Sequence, residues 1–217
     1  MKKKDIAFAK SLYSSYAFGM KILGFERSIS NFILGLNLDY PNDATILDVG
    51  CGTGIIGLTL MQGHSDSTLI STDLNSELLL QTKRNAQKMG IEESRITLGI
   101  SDITQPNKAK SITSPSTFLE IGDFDVISTG AAIGYSKSQE ATIITLLDMV
   151  KPNGYFINIE MNENLIGKLI SKKYCYPILP LSKMEKIIKN RGFNVTSVPV
   201  SRFPANLTRT CYIARKI

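Results

Sequence analysis

The sequence predicts an α/β fold: a mostly parallel sheet of seven strands, helices on both faces, and an antiparallel last strand. From Thr45 onward, short apolar runs alternate with amphipathic stretches, the pattern of parallel strands joined by helical crossovers. A glycine-rich turn, Gly50-Cys-Gly-Thr-Gly54, links the first run to the first of these helices. The last two runs, Phe193 to Val198 and Leu207 to Ala214, are separated only by residues 199–206. That is too short for a helical crossover, so they are expected to pair antiparallel.

The 217 residues suit one domain with room for a small appendage. With 43% hydrophobic and 20% charged residues, wholesale disorder is excluded. The net charge of +6 implies a weak attraction for anions. Three scattered cysteines and one histidine, His64, leave no close-spaced ligand set for zinc, and no metal is expected. Met1-Lys-Lys-Lys4 has the charge of a signal-peptide start, but Asp5, Lys10 and Lys21 break up the apolar core that such a peptide needs. No stretch approaches the roughly 20 apolar residues of a membrane span. A cytoplasmic protein is expected, and the odd cysteine count fits a reducing compartment.

Ala9, Leu12, Tyr13, Tyr16, Met20 and Leu23 recur at helical spacing, with Gly24 as the expected stop and Ser28 to Leu36 as a second short helix. Residues 1–40 are therefore expected to form a helical segment, and residues 41–217 the main domain. Strands are predicted at 45–50, 67–72, 95–100, 124–128 and 155–159, besides the last two. Helices are predicted at 55–61, 76–89 (capped by Ser76), 139–150, 165–172 and 182–190. Lys151-Pro-Asn-Gly154 reads as a turn. Ile103 to Gly122 is polar and reads as a mobile loop. From Glu163 to Arg191, seven Lys or Arg face two Glu. Solvated helix faces explain such a stretch, and contact with nucleic acid or an anionic membrane is the alternative.

The chemistry concentrates at Asp48-Val-Gly50-Cys-Gly52-Thr-Gly54. Glycines let the backbone turn sharply and let a ligand lie against it. The helix beginning after Gly54 offers free N–H groups to a carboxylate or a phosphate. Gly52, Gly54 and Gly57 also satisfy the dinucleotide spacing G-x-G-x-x-G. However, Asp48 would repel a pyrophosphate and would suit a ligand bearing an ammonium group.

This run resembles the first motif, D/E-x-G-x-G-x-G, of class I S-adenosylmethionine-dependent methyltransferases. The resemblance covers about residues 40–217 and implies a Rossmann-like sheet of order 3-2-1-4-5-7-6. It implies S-adenosyl-L-methionine as cofactor, its methionine end held by Asp48, Gly50, Cys51, Gly52 and Gly54. Asp73, 19 residues after Gly54, is then the ribose acid, and Leu74 packs on the adenine. Ser101, Asp102 and Ile103 follow the third strand, where the family binds the adenine amino group. Thr129, Gly130 and Ala131 end the fourth strand, near the reacting methyl. The family's amino-methylating DNA and RNA enzymes carry Asn/Asp-Pro-Pro-Tyr/Phe there, and Ser-Thr-Gly-Ala in this chain disfavours that chemistry. The Met149-to-Gly154 and Asn190-to-Phe193 turns are also similar to the family's. The helical start and the closing Cys211 to Lys216 are similar to the ubiquinone/menaquinone C-methyltransferase group.

The expected reaction is methyl transfer to a small-molecule acceptor, in which orientation does most of the work. Tyr135 and Glu160 are candidates to bind the acceptor or take its proton, while His64 falls at the opposite end of the sheet. Tyr13 and Tyr16 lie on the apolar stripe of the first predicted helix, as packing or as part of a lid shaping the acceptor pocket. The competing readings are an RNA or protein methyltransferase using residues 168–191, a non-catalytic cofactor-binding protein, and a nicotinamide dehydrogenase.

Overall fold

The computed structural model describes residues 24–217, so Tyr13, Tyr16 and the first predicted helix lie outside the described residues. The chain runs α1 (Phe25–Leu34), β1 (Thr45–Val49), α2 (Ile55–Leu60), β2 (Thr68–Asp73), α3 (Ser76–Lys88), β3 (Ile96–Ile100) and β4 (Lys110–Ser111). It continues through β5 (Phe124–Gly130), α4 (Gln139–Asp148), β6 (Val150–Met161), α5 (Leu165–Lys173), α6 (Leu181–Asn190), β7 (Phe193–Pro199) and β8 (Arg209–Lys216). The sheet order is β4-β3-β2-β1-β5-β6-β8-β7. Apart from the two-residue edge strand β4, this is the expected order. β8 runs antiparallel to both β6 and β7.

Two apolar layers cover the sheet. On one face Ile46, Val126, Ile157 and Ile159 pack with Phe25, Ile29, Phe32 and Ile33 of α1 and with Ile56 and Leu60 of α2. On the other, Leu47, Val49, Ile127, Phe156 and Tyr212 pack with α4 (Ile143, Leu146, Leu147) and α6 (Met184, Ile187, Ile188). Leu47 and Ile127, with neighbours Ile46 and Val126, are 0% exposed, as a strand covered on both faces requires.

Four local expectations are corrected. Gly24 is the left-handed N-cap of α1, which therefore starts at Phe25 rather than Ser28. Asn75, not Ser76, caps α3, its side chain accepting the Glu77 N–H at 3.0 Å. The 103–122 segment contains β4, which pairs with β3 at Gly99 and Ile100 and adds the eighth strand. Gly99 makes this possible, because a Cβ there would lie 2.6 Å from Leu119 Cδ1 and 3.2 Å from Ala109 Cβ. Lys151 to Gly154 does not precede the strand; it bulges within β6. Val150 pairs with Phe124 and Tyr155 with Val126, so the ladder resumes beyond the bulge.

Candidate functional site

The glycine turn crosses the carboxyl end of β1. Its three glycines take left-handed φ values of +63°, +56° and +78°, for different reasons. A Cβ on Gly50 would stand 2.5 Å from Ala132 Cβ, and one on Gly54 would stand 2.4 Å from Thr82 Cγ2. Those two glycines let α3 and the turn after β5 close on the loop. A Cβ on Gly52 meets nothing within 4 Å, so this residue alone borders open space.

The loop is fixed from several sides. Thr82 Oγ1 donates to the Gly52 carbonyl (3.1 Å), and Asn85 Nδ2 donates to the Thr53 carbonyl (2.9 Å). Thr53 Oγ1 donates to Glu26 of α1 at 2.9 Å, and the Cys51 N–H donates to the Thr72 carbonyl at 2.9 Å. Cys51 is buried, and burial raises its thiol well above the ordinary range, which removes it as a nucleophile.

Asp48 faces inward, 1% exposed. It accepts the Ser128 hydroxyl at 2.8 Å and the Gly57 N–H at 3.1 Å. Burial pushes its pKa up to about 6, against those two hydrogen bonds. Its carboxylate thus ties β1 to β5 and α2 rather than presenting an open face to an ammonium group. Asp73, at the end of β2, is half-buried. One oxygen accepts the Gly52 N–H at 3.0 Å and the other the Asn75 N–H at 2.8 Å. Each carboxylate oxygen carries two lone pairs, so acceptor capacity is left for hydroxyl donors. Leu74 beside it is 68% exposed.

After β3, Ser101 is spent on the loop, donating to the carbonyls of Asp102 and Gln105. Asp102 is exposed and takes the Thr104 N–H at 2.9 Å. Ile103 is buried and reaches the underside of Gly50. After β5, Ala131 holds φ +48°, a strained value for a side chain with a Cβ. Its N–H donates to Ile159 O at 2.9 Å. Thr129 is fully buried and Gly130 lies against Ile56.

Glu160, next to the end of β6, is 6% exposed and accepts the Tyr176 hydroxyl. The Tyr176 oxygen in turn accepts the Gly134 N–H at 2.9 Å, and its ring stacks edge-on to Tyr135 at 5.0 Å. Glu160 therefore acts through Tyr176 to hold the 133–135 turn that displays the 44%-exposed Tyr135. Sequence reasoning missed Tyr176, because no spacing rule links it to a strand end sixteen residues earlier. It also missed Thr82 and Asn85, whose helical period shows a face but not the loop it meets. His64 sits at the other end of the sheet, stacked on Tyr40 at 4.2 Å.

Burial pushes the Glu160 pKa up to about 7 from an ordinary 4.5, against the Tyr176 hydrogen bond and the Arg209 charge. The native state then holds a proton that the unfolded chain releases, so stability falls as pH rises from about 4.5 to 7. Glu160→Gln, which keeps an oxygen for Tyr176, is expected to flatten that slope. Denaturant midpoints at pH 5 and pH 8 should show the variant gaining on the natural chain at the higher pH. An unchanged difference would refute the buried, proton-holding carboxyl.

A family model described as a methyltransferase domain matches residues 41–188. The ubiquinone biosynthesis O-methyltransferase of Shewanella pealeana is 24% identical over 139 residues, 63% of this chain and 52% of that protein. The chain thus spans about half the length of this curated relative. Among solved structures, an O-methyltransferase family protein from Burkholderia thailandensis superposes with a TM-score of 0.72 at 14% identity, covering 94% of this chain and 59% of that one. An S-adenosylmethionine-dependent methyltransferase from Clostridium acetobutylicum gives 0.64 at 14% identity, covering 94% and 98%. These two likenesses establish the shared fold.

Proposed function

The chain belongs to the methyltransferase-domain family, and from that premise we propose that it transfers a methyl group from S-adenosylmethionine to a small-molecule acceptor. The observation that carries this reading is the open edge at Gly52 beside the Asp73 carboxylate. The backbone there leaves room for a ligand, and the acid has lone pairs for a pair of vicinal hydroxyls. Leu74 offers an uncovered apolar surface to an aromatic ring. Under this reading the Gly50–Gly54 loop holds the methionine end, Asp73 the ribose, and Leu74 with the 101–103 turn the adenine. Asp48 keeps the loop in shape from below.

When bound, the cofactor supplies a methyl group already activated on a sulfonium. The chain's own task is placement, which can contribute roughly 7–11 kcal/mol. Thr129, Gly130 and the strained Ala131 fix the floor between β1 and β5, where strand order reverses and ligands of open sheets bind. The Glu160–Tyr176 pair sets the position of Tyr135 at the acceptor side. We assign residues 1–40, Tyr13 and Tyr16 among them, a lid role in shaping the acceptor pocket, with α1 packed on the core. The cytoplasm is the proposed setting, in keeping with three unpaired cysteines, of which Cys175 is exposed.

Calorimetric titration with S-adenosylhomocysteine and with NAD tests the reading. Binding of the first alone is expected. Asp73→Ala should weaken it by about 1–3 kcal/mol, the range for a lost charge-assisted hydrogen bond. Affinity unchanged in that variant would remove Asp73 from the site, and a preference for NAD would overturn the proposal.

A further inference from the structure

We infer that α5 is a docking surface for anionic phospholipid membranes. The helix is amphipathic, yet its leucines point away from the protein: Leu165 is 82% and Leu169 70% exposed, and Ile166 is 43% exposed. The side it turns to the molecule carries Gly167, Ile170 and Ser171. Gly167 is buried so tightly that a Cβ would lie 2.2 Å from the Asn162 carbonyl oxygen. That contact is with the chain leading into the helix, and the buried Gly167 with the half-buried Ile170 and Ser171 marks the inward side.

Leu165, Lys168, Leu169 and Lys172 share one helical stripe by their spacing of three and four. Apolar residues are thus interleaved with cations on the outer face. Asn164 Nδ2 donates to the Leu207 carbonyl at 2.8 Å, which sets Leu207, 40% exposed, beside the start of the helix. Phe203, four positions earlier in the same loop, is 75% exposed.

The charges separate into two groups. On α6 and just after it, Lys183 pairs with Glu140, Lys189 with Glu185, and Arg191 with Asp148. Among the described residues, Lys168, Lys172 and Lys173 of α5 form no salt bridge with a carboxylate. Lys186 of α6 likewise lacks a carboxylate partner among the described residues, so the basic excess is largely neutralised on and after α6 and wholly available on α5. Exposed leucines beside unpaired lysines match the two faces of a lipid interface, with acyl chains for the first and anionic headgroups for the second. Single-stranded nucleic acid would instead call for stacking aromatics among the cations; the Leu165–Lys172 stripe carries none, and the ring that follows it, Tyr174, is half-buried with Lys173 over it at 5.4 Å. Among the described residues no helix is long and apolar enough to cross a membrane, so the contact is peripheral. α5 starts just beyond the carboxyl end of β6, so the docked face adjoins the end of the sheet that carries the candidate site. Docking of this kind does not depend on methyl transfer.

The test is sedimentation of the full chain with phosphatidylcholine vesicles, with and without phosphatidylglycerol. Retention is expected only with the anionic lipid and should fall with salt. Replacing Lys168, Lys172 and Lys173 by Gln should lower partitioning by roughly fivefold per lysine. Leu165→Gln with Leu169→Gln should also lower it at low salt, with melting behaviour unchanged because both side chains are already in water. Three results would each overturn the proposal. The first is no retention on anionic vesicles at low salt. The second is retention indifferent to the leucine changes, or tighter retention on tRNA, which would mark a general polyanion contact. The third is a dimer in sizing that those leucine changes dissociate, which would assign the face to a second copy of the chain.

Discussion

Gly52→Val is expected to abolish S-adenosylhomocysteine binding while leaving the chain folded. The substituent would project into the space that the ligand needs, since nothing of the protein lies within 4 Å of a Cβ there. It would also strain a backbone at φ +56°, a cost of roughly 1–2 kcal/mol. That strain shifts the Gly52 N–H that braces Asp73, so both halves of the grip are disturbed. A loss of at least about a hundredfold in affinity, roughly 3 kcal/mol, is expected. Gly54→Ala is the contrast. There the new methyl meets Thr82 at 2.4 Å, and the damage should appear in stability as well as in binding. Thermal melting and calorimetry on both variants separate the two effects. If Gly52→Val binds like the natural chain, the ligand does not lie along this edge.

Asp48→Ala should carry the largest stability cost among the site residues. Two buried donors lose their acceptor at once, the Ser128 hydroxyl and the Gly57 N–H. Each orphaned group costs about 1–3 kcal/mol, so a total of about 2–6 kcal/mol is expected by denaturant unfolding. Asp48→Asn keeps one carbonyl oxygen for the Gly57 N–H and should lose much less. Its disadvantage should shrink as pH rises from 3.8 to about 6, the range over which the natural chain comes to carry a buried charge. A loss below about 1 kcal/mol in the Ala variant would show that the carboxylate does not hold the loop.

The glycine turn was legible in the sequence because its requirement is local. A strand must give way to a helix within a few residues, and residues of positive φ do that at least strain. Asp73 was legible for a similar reason, standing where an apolar run ends and a capped helix begins. The inward orientation of Asp48 was not legible, since its partner Ser128 lies eighty positions away on a neighbouring strand. β4 was hidden because two residues of strand leave no period to read, and only Gly99 on the neighbouring strand makes room for the segment that carries it.

By itself, the amino-acid order determined the alternation of strands and helices, the antiparallel closing pair and the position of the glycine turn, all consequences of short-range periodicity and backbone sterics. Only the tertiary structure decided which way side chains face. It turned Asp48 into the interior, set Tyr176 against Glu160, paired Lys183 and Lys189 of α6 with carboxylates and left the lysines of α5 in water. Hydrophobic period identifies an apolar stripe, but its direction follows from the neighbour that packs closest. In α5 the buried position is Gly167, and the leucines point outward.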